Sequence, residues 1–273
     1  MLFTTSSCVT TPLALIRLWM HEANRVYRDK LINLNDLTQY DKVTKEIIKK
    51  IYDDMKEEDL FASPHLYCHF SNGIGDPIYM PVSNYNELNK LLVEVLDGYN
   101  DINPAMNLVL FEDAVFHVLR INRILEAPRG NALLIGVGGS GKQSLSRLSA
   151  FISSLDVFQI TLRKGYAMMD LKLDLAALYM KAGVKNIGIV FLMTDAQVAE
   201  ERFLVLINDL LASGEIPDLF PDDECENIVN AIRPDAKGAG IYDTKENCWK
   251  FFIDRVRRNL KVSARKCNRS VWQ

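Results

Sequence analysis

The sequence predicts an α/β fold in which a parallel sheet carries helices on both faces, preceded by a small all-helical region. From about residue 130 onward, short apolar runs alternate with amphipathic segments. One of these runs, Ala132–Ile135, leads directly into a glycine-rich turn and then a helical pattern. The first 59 residues show helical periodicity without strand patterns. Strands that alternate with helices require parallel pairing, with the connecting helices packed on the two faces of the sheet.

Composition is that of a globular protein large enough for one or two domains. The chain has 273 residues, of which 48% are hydrophobic and 25% charged. A net charge of −3 argues against a general nucleic-acid binder. The five cysteines include no CxxC pair, which fits a reducing compartment. The sequence has no signal-peptide pattern and no membrane-spanning apolar run, so we expect a protein that is cytosolic or attached to something in the cytosol.

The region before the sheet is predicted to contain helices and one irregular segment. A helix begins at Thr11-Pro12, a capping hydroxyl followed by a proline at the first helical position. A second helix follows near Tyr40, and the acidic residues 53–59 form a connector. Turn signals make residues 60–82 irregular. Two further helices are predicted, one over Glu87–Leu96 with Gly98 as its C-cap and one from Asn103-Pro104 to Glu126.

The remaining elements alternate as an α/β sheet requires. Strands are predicted at Ala132–Ile135, Val157–Leu162 and Ile187–Met193. The helices between and after them are predicted at Asp170–Lys181, Val198–Leu211, Glu226–Ile232 and Lys245–Asn259, besides the helix that follows the glycine-rich turn.

The glycine-rich turn has the layout of a phosphate-binding loop. Glycines let the backbone approach a polyanion, and successive N–H groups form an anion-binding nest at the start of a helix. The lysine supplies a point charge for the outer phosphates. The alternative is a strand–helix turn without a ligand. The predicted binding residues are Gly136, Val137, Gly138, Gly139, Ser140, Gly141, Lys142, Gln143 and Ser144.

One position in this loop departs from the motif. A hydroxyl is expected directly after the lysine to bind Mg²⁺, but the chain has Gln143 there. Ser144 carries a hydroxyl one residue later, where the helical turn of about 100° per residue points it away from the metal. The amide oxygen of Gln143 could contact Mg²⁺ directly or through water. The sequence therefore predicts nucleotide binding with altered metal positioning.

The acidic partner of such a loop is also incomplete. An acidic residue is expected at the end of a neighbouring buried strand to hold the Mg²⁺ water shell, and a second carboxylate to polarise the attacking water. The strand ending at Met193 is followed by Thr194, Asp195 and Ala196. Asp195 is either the metal residue, with Ala196 at the base position, or the base, with Thr194 replacing the metal residue. A third alternative makes Asp195 the N-cap of the helix starting near Val198.

Several segments together resemble the fourth AAA+ module of axonemal dynein heavy chains. The similarity covers the loop segment from Asn131 to Leu145, the irregular segment from Asn72 to Val82, Asn107–Ala114 and Leu210–Phe220. The opening helices, with Ile16–Glu22, resemble the small subdomain that closes the third module. The resemblance extends to about Val262. It implies an AAA+ P-loop domain over residues 60–262, preceded by a helical small subdomain over residues 1–59.

The resemblance also implies a function. The family forms ATP-driven motors that move along microtubules in cilia and flagella, and its fourth module binds ATP or ADP with Mg²⁺ and is thought to regulate. It implies neighbouring AAA+ modules, intermediate and light chains and microtubules as partners, without nucleic acid or membrane, and a location in the cytoplasm, cytoskeleton and axoneme. By position, Tyr79, Met80, Pro81 and Val82 would contact adenine, or they form a proline-kinked core segment. An active ATPase and a nucleotide-free structural segment remain alternatives.

The end of the chain departs from the family. Leu260–Val262 begins the next strand, which in the family lies between the loop strand and the strand ending at Met193. Residues 263–273 are basic and unpatterned, and we expect them to be disordered. The sheet would then be incomplete at its C-terminus. Buried unpaired backbone groups are costly, so we expect an unstable fragment.

Overall fold

The computed structural model describes residues 9–52, 56–75 and 77–267. These residues divide into two compact units. The first comprises Met1–Pro104 and Val109–Arg123, and the second comprises Ala105–Leu108 and Ile124–Gln273.

The first unit contains the predicted opening helices. Helix α1 spans Pro12–Val26, and the Thr11 hydroxyl accepts a hydrogen bond from the Ala14 N–H at 3.2 Å. Helix α2 spans Leu34–Ile51 and begins earlier than expected, because Asn33 caps it. A short helix α3 covers Glu57–Leu60, and strands β1 (Tyr67–Cys68) and β2 (Met80–Pro81) form an antiparallel pair.

Two helix boundaries in this region correct the sequence prediction. Helix α4 spans Tyr85–Ile102, so Gly98 lies inside it. The buried stripe continues past the glycine to Tyr99, and burying that ring outweighs a helix penalty of about 1 kcal/mol. Residues 103–111 are not helical. Helix α5 spans Glu112–Glu126 and starts at an acidic first turn, which suits the positive end of the helix dipole.

A buried polar cluster lies inside the first unit. Arg123 pairs with Glu22, and the Tyr79 hydroxyl donates to the same carboxylate at 2.7 Å. His21 lies 3.3 Å from the His65 carbonyl oxygen, and the His69 ring packs 4.6 Å from the Tyr79 ring. Burial lowers the pKa of His21 to about 3 and that of His69 to about 4. Both imidazoles are therefore neutral in the folded chain near neutral pH.

Acid is expected to destabilise the fold through these two imidazoles. Their pKa values in the folded chain lie below the ordinary 6.5, so the unfolded chain binds more protons between about pH 6.5 and 4. The free energy of unfolding should fall with decreasing pH by up to about 1.4 kcal/mol per pH unit for each histidine. Urea unfolding between about pH 6.5 and 5 tests this effect while most carboxylates remain ionised. His21→Gln should make the free energy of unfolding depend less on pH. A free energy of unfolding that does not change with pH in the unaltered chain would contradict the prediction.

The second unit contains the predicted parallel sheet. Among its described residues the strands are β3 (Ala132–Gly136), β4 (Asp156–Gln159), β5 (Ile189–Thr194) and β6 (Leu260–Cys267), in the order β3-β6-β5-β4. All pairings between neighbours are parallel. The helices are α6 (Lys142–Ile152), α7 (Met168–Tyr179, followed by a π-helical turn Met180–Val184), α8 (Arg202–Ala212), α9 (Asp222–Gly238) and α10 (Lys245–Asn259).

Helices cover both faces of this sheet. Phe191 and Val262 lie in a large apolar cluster with residues from α7, α8, α9 and α10. On the other face, the Ser263 hydroxyl of β6 lies 3.1 Å from the Ser146 hydroxyl of α6. Strand β5 is buried along its whole length, as expected of a central parallel strand. The predicted α/β class is confirmed.

Strand β6 corrects the expected defect in the sheet. It begins at the predicted Leu260 but continues to Cys267, and it pairs with β3 on one side and β5 on the other. The expectation of a gap between these two strands is therefore wrong, as is the expectation of disorder for residues 263–267. The reason is backbone pairing: both neighbours offer unpaired N–H and C=O groups, which any extended segment can satisfy. Residues 268–273 lie outside the described part of the chain.

Candidate nucleotide-binding site

The glycine-rich turn connects β3 to α6 in the second unit. Strand β3 ends at Gly136, and α6 begins at Lys142, with Gly141 as its N-cap at φ 71°. Gly139 has φ 79°. Both angles fall in the left-handed region that side chains disfavour, so this backbone path depends on glycine. The strand–turn–helix arrangement expected from the sequence is present.

The lysine ammonium lies within the turn. The Lys142 Nζ atom donates to the carbonyl oxygens of Gly136 at 2.9 Å and Val137 at 2.5 Å, and to the Ser140 hydroxyl at 2.9 Å. Its side chain is buried, and a Cβ atom on Gly136 would stand 3.5 Å from the ammonium. A buried positive charge held by neutral acceptors in a glycine-rich turn at a helix N-terminus suits a polyanionic ligand.

The Gln143 side chain contacts the end of β4. Its Nε2 atom donates to the Gln159 Oε1 atom at 2.9 Å, and the Arg147 Nη2 atom donates to the same oxygen at 2.5 Å. A guanidinium can only donate, so the atom of Gln159 that meets it must be the oxygen, and Gln143 must present its nitrogen. The amide nitrogen of Gln143 is thereby committed to Gln159.

Arg147 and Gln159 were not among the residues predicted from the sequence. Arg147 could have been found, because it stands four residues after Gln143 and helical neighbours at this spacing share a face. Gln159 could not, because its approach depends on how α6 packs against β4. Ser144, the alternative hydroxyl, lies half-buried on α6, and Ser146 donates to the Lys142 carbonyl oxygen at 2.9 Å.

A second polar group lies at the carboxyl end of β5. The Gln197 Oε1 atom accepts from the Thr194 backbone N–H at 2.8 Å and from the Thr194 hydroxyl at 3.1 Å. The Gln197 Nε2 atom donates to the Ile160 carbonyl oxygen at 2.6 Å. These buried contacts bind the end of β5 to the segment after β4. Thr194 therefore has a structural function at this strand end, and its proposed catalytic role stays a prediction.

Asp195 is exposed and begins a 3₁₀ turn, Asp195–Gln197. The following helix α8 begins only at Arg202, so the alternative that Asp195 caps a helix near Val198 is wrong. A start near Val198 was expected, but the chain first makes the 3₁₀ turn that Thr194 and Gln197 stabilise. The roles of Asp195 as metal ligand or base stay predictions.

The residues expected at adenine, Tyr79 to Val82, belong to the first unit. Pro81 is exposed in β2, whereas Val82 is buried and its N–H donates to the Leu66 carbonyl oxygen at 2.9 Å. The preceding Tyr79 is buried among the polar cluster of that unit. Their contact with a nucleotide stays a prediction.

The side chains near the loop include few that could bind a metal ion. No group of three or more His, Cys, Asp or Glu side chains suited to a metal ion occurs in the described part of the chain. The first turn of α6 has no acidic residue, and position 143 offers an amide whose nitrogen already donates to Gln159. Mg²⁺ prefers carboxylate, hydroxyl and phosphate oxygens. These residues therefore fit a direct protein-bound Mg²⁺ poorly.

Comparison with known proteins places the chain in a family. Residues 106–265 match the family described as P-loop containing dynein motor region D4, and residues 1–62 match the AAA+ lid domain. The chain is 66% identical over 262 residues to a protein named dynein beta chain, ciliary, of Heliocidaris crassispina. It is 64% identical to human dynein axonemal heavy chain 17 over 262 residues, and 47% identical over 266 residues to the alpha chain of the flagellar outer arm of Chlamydomonas reinhardtii.

Each of these alignments covers 96% of the chain and 6% of the relative, so the chain spans a small part of the length of the proteins it matches. The family match includes β3, the glycine-rich turn, α6 and most of β6. The chain therefore belongs to the axonemal dynein heavy-chain family and contains its P-loop motor region D4, preceded by an AAA+ lid.

Proposed function

We propose that this chain is an ATP- or ADP-binding regulatory AAA+ module of an axonemal dynein heavy chain. The observation that carries the proposal is the buried Lys142 ammonium, held inside the turn between β3 and α6. Glycine backbone, helix N-terminus and lysine together favour the phosphates of a nucleotide.

Binding without efficient hydrolysis follows from what stands beside the loop. Asp195 is followed by Ala196, so β5 ends with one carboxylate where two are expected. The hydroxyl expected after the lysine is replaced by Gln143, whose amide nitrogen donates to Gln159. A chain with these substitutions retains the anion-binding backbone but lacks groups that position and activate water.

Magnesium would accompany the nucleotide mainly through the phosphates. Gln143 and Asp195 are the residues that could contact it, and they would do so through water molecules of its hydration shell. The protein's own contribution is to hold the polyanion with Lys142 and the backbone of residues 136–144. Adenine contact by Pro81 and Val82 belongs to the same proposal.

The partners follow from the family. We propose that the module acts beside neighbouring AAA+ modules in a dynein ring, and through the full-length motor with intermediate chains, light chains and microtubules, in the cytoskeleton of the cilium or flagellum. Nucleic acid is not a proposed partner, consistent with the net charge of −3. A membrane is not a proposed partner either. Separately, in the described residues no helix combines the length and apolarity needed to cross a membrane.

Measuring phosphate release from the chain with bound ATP distinguishes binding alone from binding followed by hydrolysis. We expect the unaltered chain to bind ATP and to release phosphate no faster than a Lys142→Ala variant. The double variant Gln143→Thr/Ala196→Glu restores the missing hydroxyl and carboxylate, and should raise the rate by at least about tenfold. Fast release by the unaltered chain would support an active ATPase, and absence of binding would support a structural segment.

A further inference from the structure

Cationic groups and hydrogen-bond donors lie close to position 143. The Arg147 guanidinium and the Gln143 amide nitrogen both donate to one atom, the Gln159 Oε1, at 2.5 and 2.9 Å. The Lys142 ammonium occupies the adjacent turn. Helix α6 contains Arg147 but no acidic residue over its whole length. Donors and positive charges attract phosphate oxygens, and they repel a divalent cation.

Strand β6 adds to this charge. Arg265 is paired with Leu134 in the middle of β3 on one side and with Thr194, the last residue of β5, on the other. It follows Ser263 by two residues, and Ser263 contacts Ser146 of α6. Because alternate residues of a strand share a face, Arg265 leaves β6 on the face that α6 covers. Thr194, the partner of Arg265 in β5, is followed directly by the exposed Asp195.

From this arrangement we propose that the site binds the metal-free nucleotide at least as well as its magnesium complex. The proposal rests on the nucleotide binding proposed above and specifies the form of the ligand. Magnesium lowers the negative charge of a triphosphate, which weakens its attraction to the cations. In most P-loops a protein hydroxyl binds the metal, and this contact compensates for the weaker attraction. This chain has no such hydroxyl at position 143, where Gln143 instead donates a hydrogen bond to Gln159.

Titration with a fluorescent ATP analogue in excess Mg²⁺ and in excess EDTA tests the proposal. The dissociation constant in EDTA should be equal to or lower than that in Mg²⁺. Tightening by Mg²⁺ of more than about threefold overturns the proposal while leaving nucleotide binding intact. Absence of saturable binding in both buffers overturns the proposed function and, with it, this inference.

Gln143→Thr tests the cause. It returns a hydroxyl to the position after the lysine and removes the amide that donates to Gln159. We expect this variant to bind the analogue about tenfold more tightly in Mg²⁺ than in EDTA. A ratio equal to that of the unaltered chain would show that position 143 does not set the response to magnesium. A thermal melt shows whether each variant is folded.

Arg147→Gln tests the contribution of charge. Removal of the guanidinium should weaken binding in EDTA by about two- to fivefold, and less at high salt. Arg258→Gln is the matched control, because Arg258 is exposed at the end of α10, next to the amino end of β6. The carboxyl ends of the strands lie at the opposite edge of the sheet. If the two variants weakened binding in EDTA equally, the specific contribution of Arg147 to binding the metal-free nucleotide would be wrong.

Discussion

Replacing Lys142 by alanine is expected to reduce ATP affinity by roughly 10- to 100-fold. The ammonium is the buried positive charge inside the turn, in contact with two loop carbonyl oxygens and the Ser140 hydroxyl. Charge-assisted hydrogen bonds to phosphate are stronger than neutral ones, and no other side chain of the turn carries a charge. Equilibrium binding of a fluorescent ATP analogue measures the loss.

Lys185→Ala is the matched control for this variant. Lys185 is exposed and lies shortly before the amino end of β5, at the edge of the sheet away from the turn. The Lys185→Ala substitution also removes one positive charge, and it should leave the affinity for ATP nearly unchanged. Equal losses in the two variants would indicate that general charge attraction, and not the turn, binds the nucleotide.

Removal of β6 is expected to abolish cooperative unfolding of the second unit. A chain ending at Asn259 loses the pairing of β6 with β3 and with β5. It also loses the buried side chains of Leu260 and Val262, each worth about 1.5–3 kcal/mol on burial. Together with the exposed backbone groups, these losses approach a typical stability of about 5–15 kcal/mol.

Thermal unfolding followed by circular dichroism measures this effect. A chain ending at Cys267 keeps all of β6 and is the length control, with a cooperative transition expected. The point variant Val262→Asp places a charge at a buried position of the same strand and should act in the same direction. A cooperative transition of unchanged midpoint in the Asn259 truncation would contradict the central position of β6.

The sequence allowed the α/β class and the turn to be predicted because both have local signals. Ile189–Met193 is a continuous apolar run, and Gly136–Lys142 combines glycines with a lysine at fixed spacing. The extent of β6 was missed for the opposite reason. Residues 263–267 are Ser, Ala, Arg, Lys and Cys, without an apolar pattern, and their order comes from pairing with strands distant in the sequence.

The candidate site divides in the same way. The turn and its departure at Gln143 were visible in the sequence, whereas the contact of Gln143 with Gln159 joins residues from two elements that pack in three dimensions. The buried link from Thr194 through Gln197 to the Ile160 carbonyl oxygen also depends on tertiary packing. Local residue patterns predict backbone motifs, but they do not report which side chains meet across a sheet.

Calorimetric titration of the unaltered chain with ATP tests the central claim most directly, because it needs neither a label nor a variant. The claim is that the backbone and lysine of residues 136–144 bind a nucleotide while the groups for its cleavage are incomplete. Saturable binding of one ATP per chain, with the ATP recovered intact, is the predicted result. Absence of saturable heat, or recovery of ADP and phosphate, would contradict it.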